Sequence, residues 1–418
     1  MELFHVLSAV LAASAFFAYI NQKFIRLPGA IGLLLAGLFV SLVVQGIGMV
    51  SPAFIEVVRA RLEAIDFSDF LMDFMLSFLL FAGALHTDLE KLSASKWPVL
   101  TFATVGVLIS TAVVGTLFYY LLQLMGMPID YIYCLIFGAL ISPTDPIAVL
   151  GILKKADIPE SLEVSITGES LFNDGVGVVV FTSLYMIAQR GAANIEASFI
   201  GELFLEEVGG GLVLGLVVGY IAFRFMRKID HYQTEVLISL AVVMGGYSLA
   251  QILHFSGPLA MVVAGLFIGN QGIEHAMSKT TADYLHKFWE MVDEIFNAIL
   301  FVLIGLELLL IEFHAIYLLV GFITTGIVLL VRYIALAVPS FVLRLNRTFA
   351  PNTLSIMTWG GLRGGISIAL ALSLAQEMER EVITAITYAV VLLSLVVQGL
   401  TIEPFIRRVS RGVVKEKI

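Results

Sequence analysis

The sequence predicts an all-α polytopic membrane protein of about thirteen transmembrane helices, with the N-terminus outside and the C-terminus inside, and three observations predict it. Of 418 residues, 59% are hydrophobic and 14% charged, with a mean hydropathy of +0.97; a soluble domain carries about 25% charged residues. The apolar segments are continuous runs about 20 residues long, the length a helix needs to cross hydrocarbon, without the alternation of a β-barrel. The basic residues are also divided unequally between the two sides of the membrane.

The expected spans lie near 4–22, 28–49, 68–86, 98–124, 130–153, 161–188, 207–226, 233–253, 257–273, 289–311, 313–341, 351–375 and 382–406, with ends good to about 2 to 4 residues. Met1–His5 has no positive region and no small-residue cleavage site follows, so the first span reads as an uncleaved helix. Between spans two and three, Phe54–Ile65 places Ile55, Val58, Leu62 and Ile65 on one stripe, with Glu56, Arg59 and Glu63 elsewhere. That pattern suits a helix lying on the membrane surface.

Of the 24 Lys and Arg, all but six fall in the odd-numbered loops or the tail. Arg59, Arg61, Arg190 and Arg380 lie in even-numbered loops, and Arg332 and Arg363 lie inside spans. Positive charge marks the cytoplasmic side, which orients the chain as stated. A net charge of −9 without a basic stripe excludes nucleic acid as a partner. The single cysteine, Cys134, leaves no disulfide framework or thiolate metal cage.

The chain repeats itself. Ala36-Gly37-Leu38-Phe39 in span two matches Ala264-Gly265-Leu266-Phe267 in span nine, and Phe81–Leu85 in span three resembles Leu303–Glu307 in span ten. Both matches lie seven spans apart, and an odd offset reverses the direction of crossing, so two inverted-topology repeats are expected. Under that offset span five pairs with span twelve. The first is interrupted by Ser142-Pro143-Thr144-Asp145-Pro146, where each proline removes a backbone donor, and the second by Gly360-Gly361-Leu362-Arg363-Gly364-Gly365. Two broken helices crossing at the midplane free carbonyls and helix ends to hold an ion.

Ionisable residues inside spans cost about 2.5 to 3.5 kcal/mol at the helix centre and mark function. The candidates are Asp73, Asp145, Glu169, Asp174, Glu307, Arg332 and Arg363. In span six, Glu169 to Asn173 and Ser170 to Asp174 are both i, i+4, so four polar side chains share one patch. Gly168, Gly175 and Gly177 would let broken span five approach it. A carboxylate, a hydroxyl and an amide facing freed carbonyls near Thr144 and Asp145 make an all-oxygen site suited to a partly dehydrated monovalent cation. Glu290, Asp293 and Glu294 read as an acidic funnel or as solvated helix ends. Gly211, Gly215 and Gly219 form a small-residue face for packing within the protomer or against another subunit.

The runs TDP in span five, ESLFND in span six and GGLRGG in span twelve, with FWEMVDEIFNAILFVLIGLEL around span ten, resemble the NhaP-type sodium/proton antiporters of the monovalent cation:proton antiporter family, relatives of the animal sodium/hydrogen exchangers. The resemblance implies the antiporter fold, in a homodimer in the cell membrane. Residues 97–190 and 312–406 would form a mobile core, 1–96 and 191–311 a dimerising scaffold, and 407–418 a short cytoplasmic tail. It implies that Asp174, Ser170 and Thr144 hold the cation, that Asp145 and Asn173 organise the unwound segment, and that Glu169 pairs with a membrane arginine, Arg332 first or Arg363 second. No cofactor is implied; the cargo is Na⁺ or Li⁺ exchanged for H⁺, with K⁺/H⁺ exchange or a cation channel as alternatives.

Exchange then follows if proton and cation compete for Asp174. Asn173 stands where a second acid would bring another proton, and a Glu169 held by arginine stays charged, so one proton per cation, an electroneutral 1:1 cycle, is expected.

Overall fold

The computed structural model describes residues 2–63, 67–145, 159–190, 201–202, 204–311, 314–343 and 352–415. Among them every regular element is helical, and the β pairing amounts to one isolated antiparallel bridge between Asp145 and Leu362. The first half runs α1 (Glu2–Ile20), α2 (Gly29–Val50), α3 (Pro52–Glu63), α4 (Leu76–Leu85), α5 (Lys96–Leu124), α6 (Tyr131–Leu140) and α7 (Glu160–Arg190). The second runs α8 (Leu205–Met226), α9 (Tyr232–Ile252), α10 (Gly257–Phe267), α11 (Lys279–Glu307), α12 (Ala315–Leu343), α13 (Thr353–Trp359), α14 (Gly365–Leu372), α15 (Arg380–Leu393) and α16 (Gly399–Lys415). Among the described residues, eight helical stretches are long and apolar enough to cross a membrane.

Several ends follow from local chemistry. The Ser256 hydroxyl accepts from the Leu259 N–H, with Pro258 in the first turn, to start α10. The Ser278 hydroxyl accepts from the Thr281 N–H and starts α11 well before the expected 289. Hydropathy missed that first stretch because polar residues alternate with a buried face of Thr281, Ala282, Leu285 and Trp289. The expected tail from 407 onward is a continuation of α16 as far as Lys415, with Arg407 donating to Glu403 at 2.6 Å.

Helix α3 begins at Pro52, and Ile55, Val58 and Leu62 are its half-buried face. Arg59, expected away from that stripe, joins it because its Nε donates to the Leu309 carbonyl at 2.8 Å. Ile65 lies outside the described residues, as do 146–153 with Pro146, the loop charges Lys154, Lys155, Arg344, Arg347 and Lys417, and the side chain of Asp73.

The two AGLF segments are used in the same way. A Cβ on Gly37 would stand 2.8 Å from the Val302 carbonyl oxygen, and one on Gly265 would stand 2.7 Å from that of Phe81. Span two thus meets span ten, and span nine meets span three. Gly211, Gly215 and Gly219 of α8 pack inside the protomer, on Ser256, Ala260 and the α10 residues Ala264 and Phe267.

The buried interior divides into two clusters. One gathers residues of α1, α2, α5 to α7 and α12 to α16 with the segment before α4 and the last turns of α11; the other gathers α4, α8 to α10 and the first turns of α11 with Val99 of α5 and Leu171 of α7. Helix α11 therefore bridges them, carrying Leu285 and Trp289 in one and Leu300 to Ile304 in the other.

Candidate functional site

Helix α6 ends at Leu140, where the Ser142 hydroxyl donates back to the Gly138 carbonyl at 2.6 Å, and Pro143 and Thr144 lie outside any helix. Helix α13 likewise ends at Trp359, and α14 does not begin until Gly365. The two unwound segments cross in contact: the Asp145 N–H donates to the Leu362 carbonyl at 2.8 Å. The contact needs residues without side chains, because a Cβ on Gly364 would stand 2.7 Å from the Asp145 carboxylate and one on Gly361 would stand 2.9 Å from Arg332 Nε. Of the three glycines of α7 expected to admit span five, Gly177 meets it, against Pro143, among the described residues. Gly168 meets Leu92 and Val99, and Gly175 meets Leu259, because they point to other sides of the helix.

The i, i+4 patch of α7 packs against this crossing. The Ser170 hydroxyl donates to the Thr144 carbonyl. The Asn173 amide donates to the Thr144 hydroxyl at 2.9 Å and to Glu169 Oε1 at 3.0 Å, while its oxygen accepts from the Thr144 N–H at 3.4 Å. Asn173 thereby holds the α6 extension by both backbone and side chain.

Both guanidiniums are buried, in different roles. Arg332 of α12 donates to both oxygens of Glu169, each at 2.6 Å, a bidentate pair that satisfies the charge. Arg363 donates to the carbonyls of Ser142 and Pro143, where α6 ends and carbonyls lack helical partners. Its own N–H donates to the Ser394 hydroxyl at 3.1 Å.

A cavity of about 600 Å³ reaches this place from one end of the helix bundle. Thr144, Asp145, Ser170 and Asp174 line its inner part, and Glu163, Glu290, Asp293 and Glu294 line the rest. Asp174 is 8% exposed and faces the cavity, whereas Glu169, at 1%, is sealed behind Asn173 and Arg332, so the two carboxylates differ in access. Toward the other end, the Tyr388 hydroxyl donates to the Ile304 carbonyl at 2.8 Å and the Ser68 hydroxyl to the Ala369 carbonyl at 2.9 Å, tying α15 to α11 and α14 to the segment before α4.

With all groups ionised, the crossing holds Asp145, Glu169 and Asp174 against Arg332 and Arg363, one negative charge in excess. A buried excess charge is costly, so the crossing as built favours the addition of one positive charge.

The structure brings together Thr144, Asp145, Glu169, Ser170, Asn173, Asp174, Arg332 and Arg363, and leaves Glu307 at the distant end of α11. The sequence reading passed over Ser394 and Gln398, whose side chains brace the span-twelve break. Their signal was available: two polar residues at i, i+4 within the otherwise apolar run from Ala389 to Leu400.

Residues 12–408 match the family described as "Sodium/hydrogen exchanger, transmembrane". The chain is 50% identical over 418 residues to the Na⁺/H⁺ antiporter NhaP of Pseudomonas aeruginosa, covering 99% of this chain and 98% of that one. It is 28% identical to the Na⁺/H⁺ exchanger beta of Oncorhynchus mykiss over 86% of its length, spanning 48% of that protein. In three dimensions it resembles the sodium proton antiporter MjNhaP1 of Methanocaldococcus jannaschii, with a TM-score of 0.75 and 20% identity over 98% of this chain and 99% of that one.

Proposed function

We propose, for a chain that belongs to the transmembrane sodium/hydrogen exchanger family, that it exchanges Na⁺ for H⁺ across the cell membrane by competition of the two for Asp174. The observation that carries the reading is the position of this carboxylate: beside the Thr144 carbonyl and Ser170 hydroxyl in the inner wall of the cavity, at a crossing one charge short of neutrality. A proton or a monovalent cation neutralises it, so each displaces the other and either loaded form can move. The bare carboxylate, with its charge uncompensated in low dielectric, cannot. One cation is then exchanged for one proton, an electroneutral cycle, and Li⁺, with the same charge and hard-oxygen preference, is a second cargo.

Thirteen spans with the N-terminus outside put the cavity mouth, next to Lys91 and Glu160, on the cytoplasmic side. In that frame the described conformation is open inward. Transport follows as residues 97–190 and 312–406 move against a scaffold of 1–96 and 191–311, which also supplies the interface of a homodimer. The two crossing unwound segments sit near the midplane, as the inverted repeats require.

The test is made in proteoliposomes holding an imposed pH gradient. External Na⁺ should dissipate the gradient and Asp174→Asn should abolish this, with no dependence on an applied membrane potential. Na⁺-driven proton flux that survives Asp174→Asn would remove the competition mechanism, and sustained charge movement per cycle would remove the 1:1 stoichiometry.

A further inference from the structure

The expected site residues account for one side of the crossing: Ser170 and Asn173 hold the Thr144 segment. The span-twelve side is held by something else. Beyond α15 the chain widens into a π-helical turn, Ser394–Gln398, one of six among the described residues and a form frequent at functional positions. Ser394 is 1% and Gln398 3% exposed, and from Ala389 to Leu400 every residue but these two is aliphatic or glycine.

Their hydrogen bonds form a directed chain. The Arg363 N–H donates to the Ser394 hydroxyl at 3.1 Å, which donates to Gln398 Oε1 at 2.6 Å, and Gln398 Nε2 donates to the Trp359 carbonyl at 2.9 Å. Each link fixes the next: once the hydroxyl has accepted from a backbone N–H it must donate, which points the amide oxygen toward it and the amide nitrogen toward Trp359. The two backbone groups so satisfied flank the break, the last carbonyl of α13 and an N–H just before α14, both orphaned by the unwinding. A further bond, from the Trp359 indole N–H to the Thr401 hydroxyl at 3.0 Å, fixes the end of α13 to α16.

Between those two held points lies Leu362, whose carbonyl accepts from the Asp145 N–H. Asp145 directly follows Thr144, whose carbonyl faces Ser170. We infer that Ser394 and Gln398 are positioning residues for cation binding: by holding Trp359 and Arg363 they set Leu362, and through its bond to Asp145 the place of the Thr144 carbonyl. They touch no ion, and the inference rests on the proposed role of Thr144 and Asp174.

The test uses the full-length protein in proteoliposomes, comparing Gln398→Leu, Ser394→Ala and Gln398→Glu with wild type and Asp174→Asn. Folded yield and thermal unfolding in detergent are measured alongside. The Na⁺ concentration for half-maximal exchange should rise on the order of fivefold to tenfold in Gln398→Leu and Ser394→Ala, the size expected for one lost buried hydrogen bond. The maximal rate should change less, and discrimination between Na⁺ and Li⁺ should shift. In Gln398→Glu the carboxylate cannot donate to Trp359 but the carboxylic acid can, so its half-maximal Na⁺ concentration, relative to wild type at the same pH, should recover as pH falls.

Unchanged half-maximal Na⁺ in Gln398→Leu and Ser394→Ala overturns the inference, as does a loss of folded protein with normal Na⁺ dependence in what remains. Failure of the underlying reading looks different, since wild type would then show no Na⁺-driven flux or Asp174→Asn would retain it.

Discussion

Arg332 grips Glu169 with two hydrogen bonds of 2.6 Å across 163 positions of sequence, and Asn173 donates to the same carboxylate from one turn away at 3.0 Å. The pair lies beside the cavity without lining it. Glu169 is therefore held in place from two sides and anchors the patch from which Asp174 faces the cavity.

Removing one partner of this pair leaves the other buried and uncompensated, which costs about 3 to 5 kcal/mol. Glu169→Gln and Arg332→Gln should each lower the thermal unfolding temperature sharply. The double variant Glu169→Gln/Arg332→Gln should recover part of the loss, because neither charge is then stranded. A double-mutant cycle on unfolding temperature in detergent checks this; additive losses would mean that the two charges do not depend on each other.

Asn173→Asp should be destabilising at neutral pH. The amide donates to Glu169 Oε1 and to the Thr144 hydroxyl, so a carboxylate there loses both donations and faces a like charge at close range. Acidification protonates the new group and removes the repulsion. Thermal stability of the variant, relative to wild type, should therefore rise as pH falls; a deficit that does not vary with pH would refute the electrostatic account.

Gly364→Ala should abolish transport while leaving much of the protein folded. The added Cβ would come within 2.7 Å of the Asp145 side chain, beside the backbone bridge from Asp145 to Leu362 that joins the two unwound segments. Overpacking of this kind costs about 1 to 3 kcal/mol, which a large membrane protein tolerates. The check is Na⁺-driven proton flux per folded protein, with Gly326→Ala as control, since a Cβ there meets nothing within 4 Å.

The acidic wall of the cavity should raise the local cation concentration. Charge removal in the combined variant Glu290→Gln/Asp293→Asn/Glu294→Gln is expected to increase the half-maximal Na⁺ concentration at low ionic strength. The difference should shrink at about 0.15 M salt, where screening acts within about 8 Å. Transport measured across a choline chloride series tests this; an effect independent of ionic strength would point to a local structural role instead.

What was legible before folding was local or periodic. Glu169, Ser170, Asn173 and Asp174 fall on one patch because helical spacing alone puts i and i+4 together. The breaks at Ser142–Asp145 and Gly360–Gly364 announce themselves because proline and glycine act on the backbone they occupy. The start of α11 was misplaced because its buried face alternates with polar residues, so average hydropathy is low where the helical period is strong. The described neighbours of Gly168 and Gly175 are Leu92, Val99 and Leu259, which their sequence positions did not announce, because small size tells that something comes close, not what.

The sequence by itself determined that the chain is an all-helical membrane protein of the exchanger family, and that a carboxylate, a hydroxyl and an amide share one face of α7. These are properties of composition and short-range spacing, which survive without knowing any distance between helices. Only the tertiary structure decided that Arg332 pairs with Glu169 while Arg363 caps α6, that Asp174 and not Glu169 faces the cavity, and that Ser394 and Gln398 hold the second break. Each of those is a choice between chemically equivalent partners far apart in the chain, and only the packing of helices against one another selects among them.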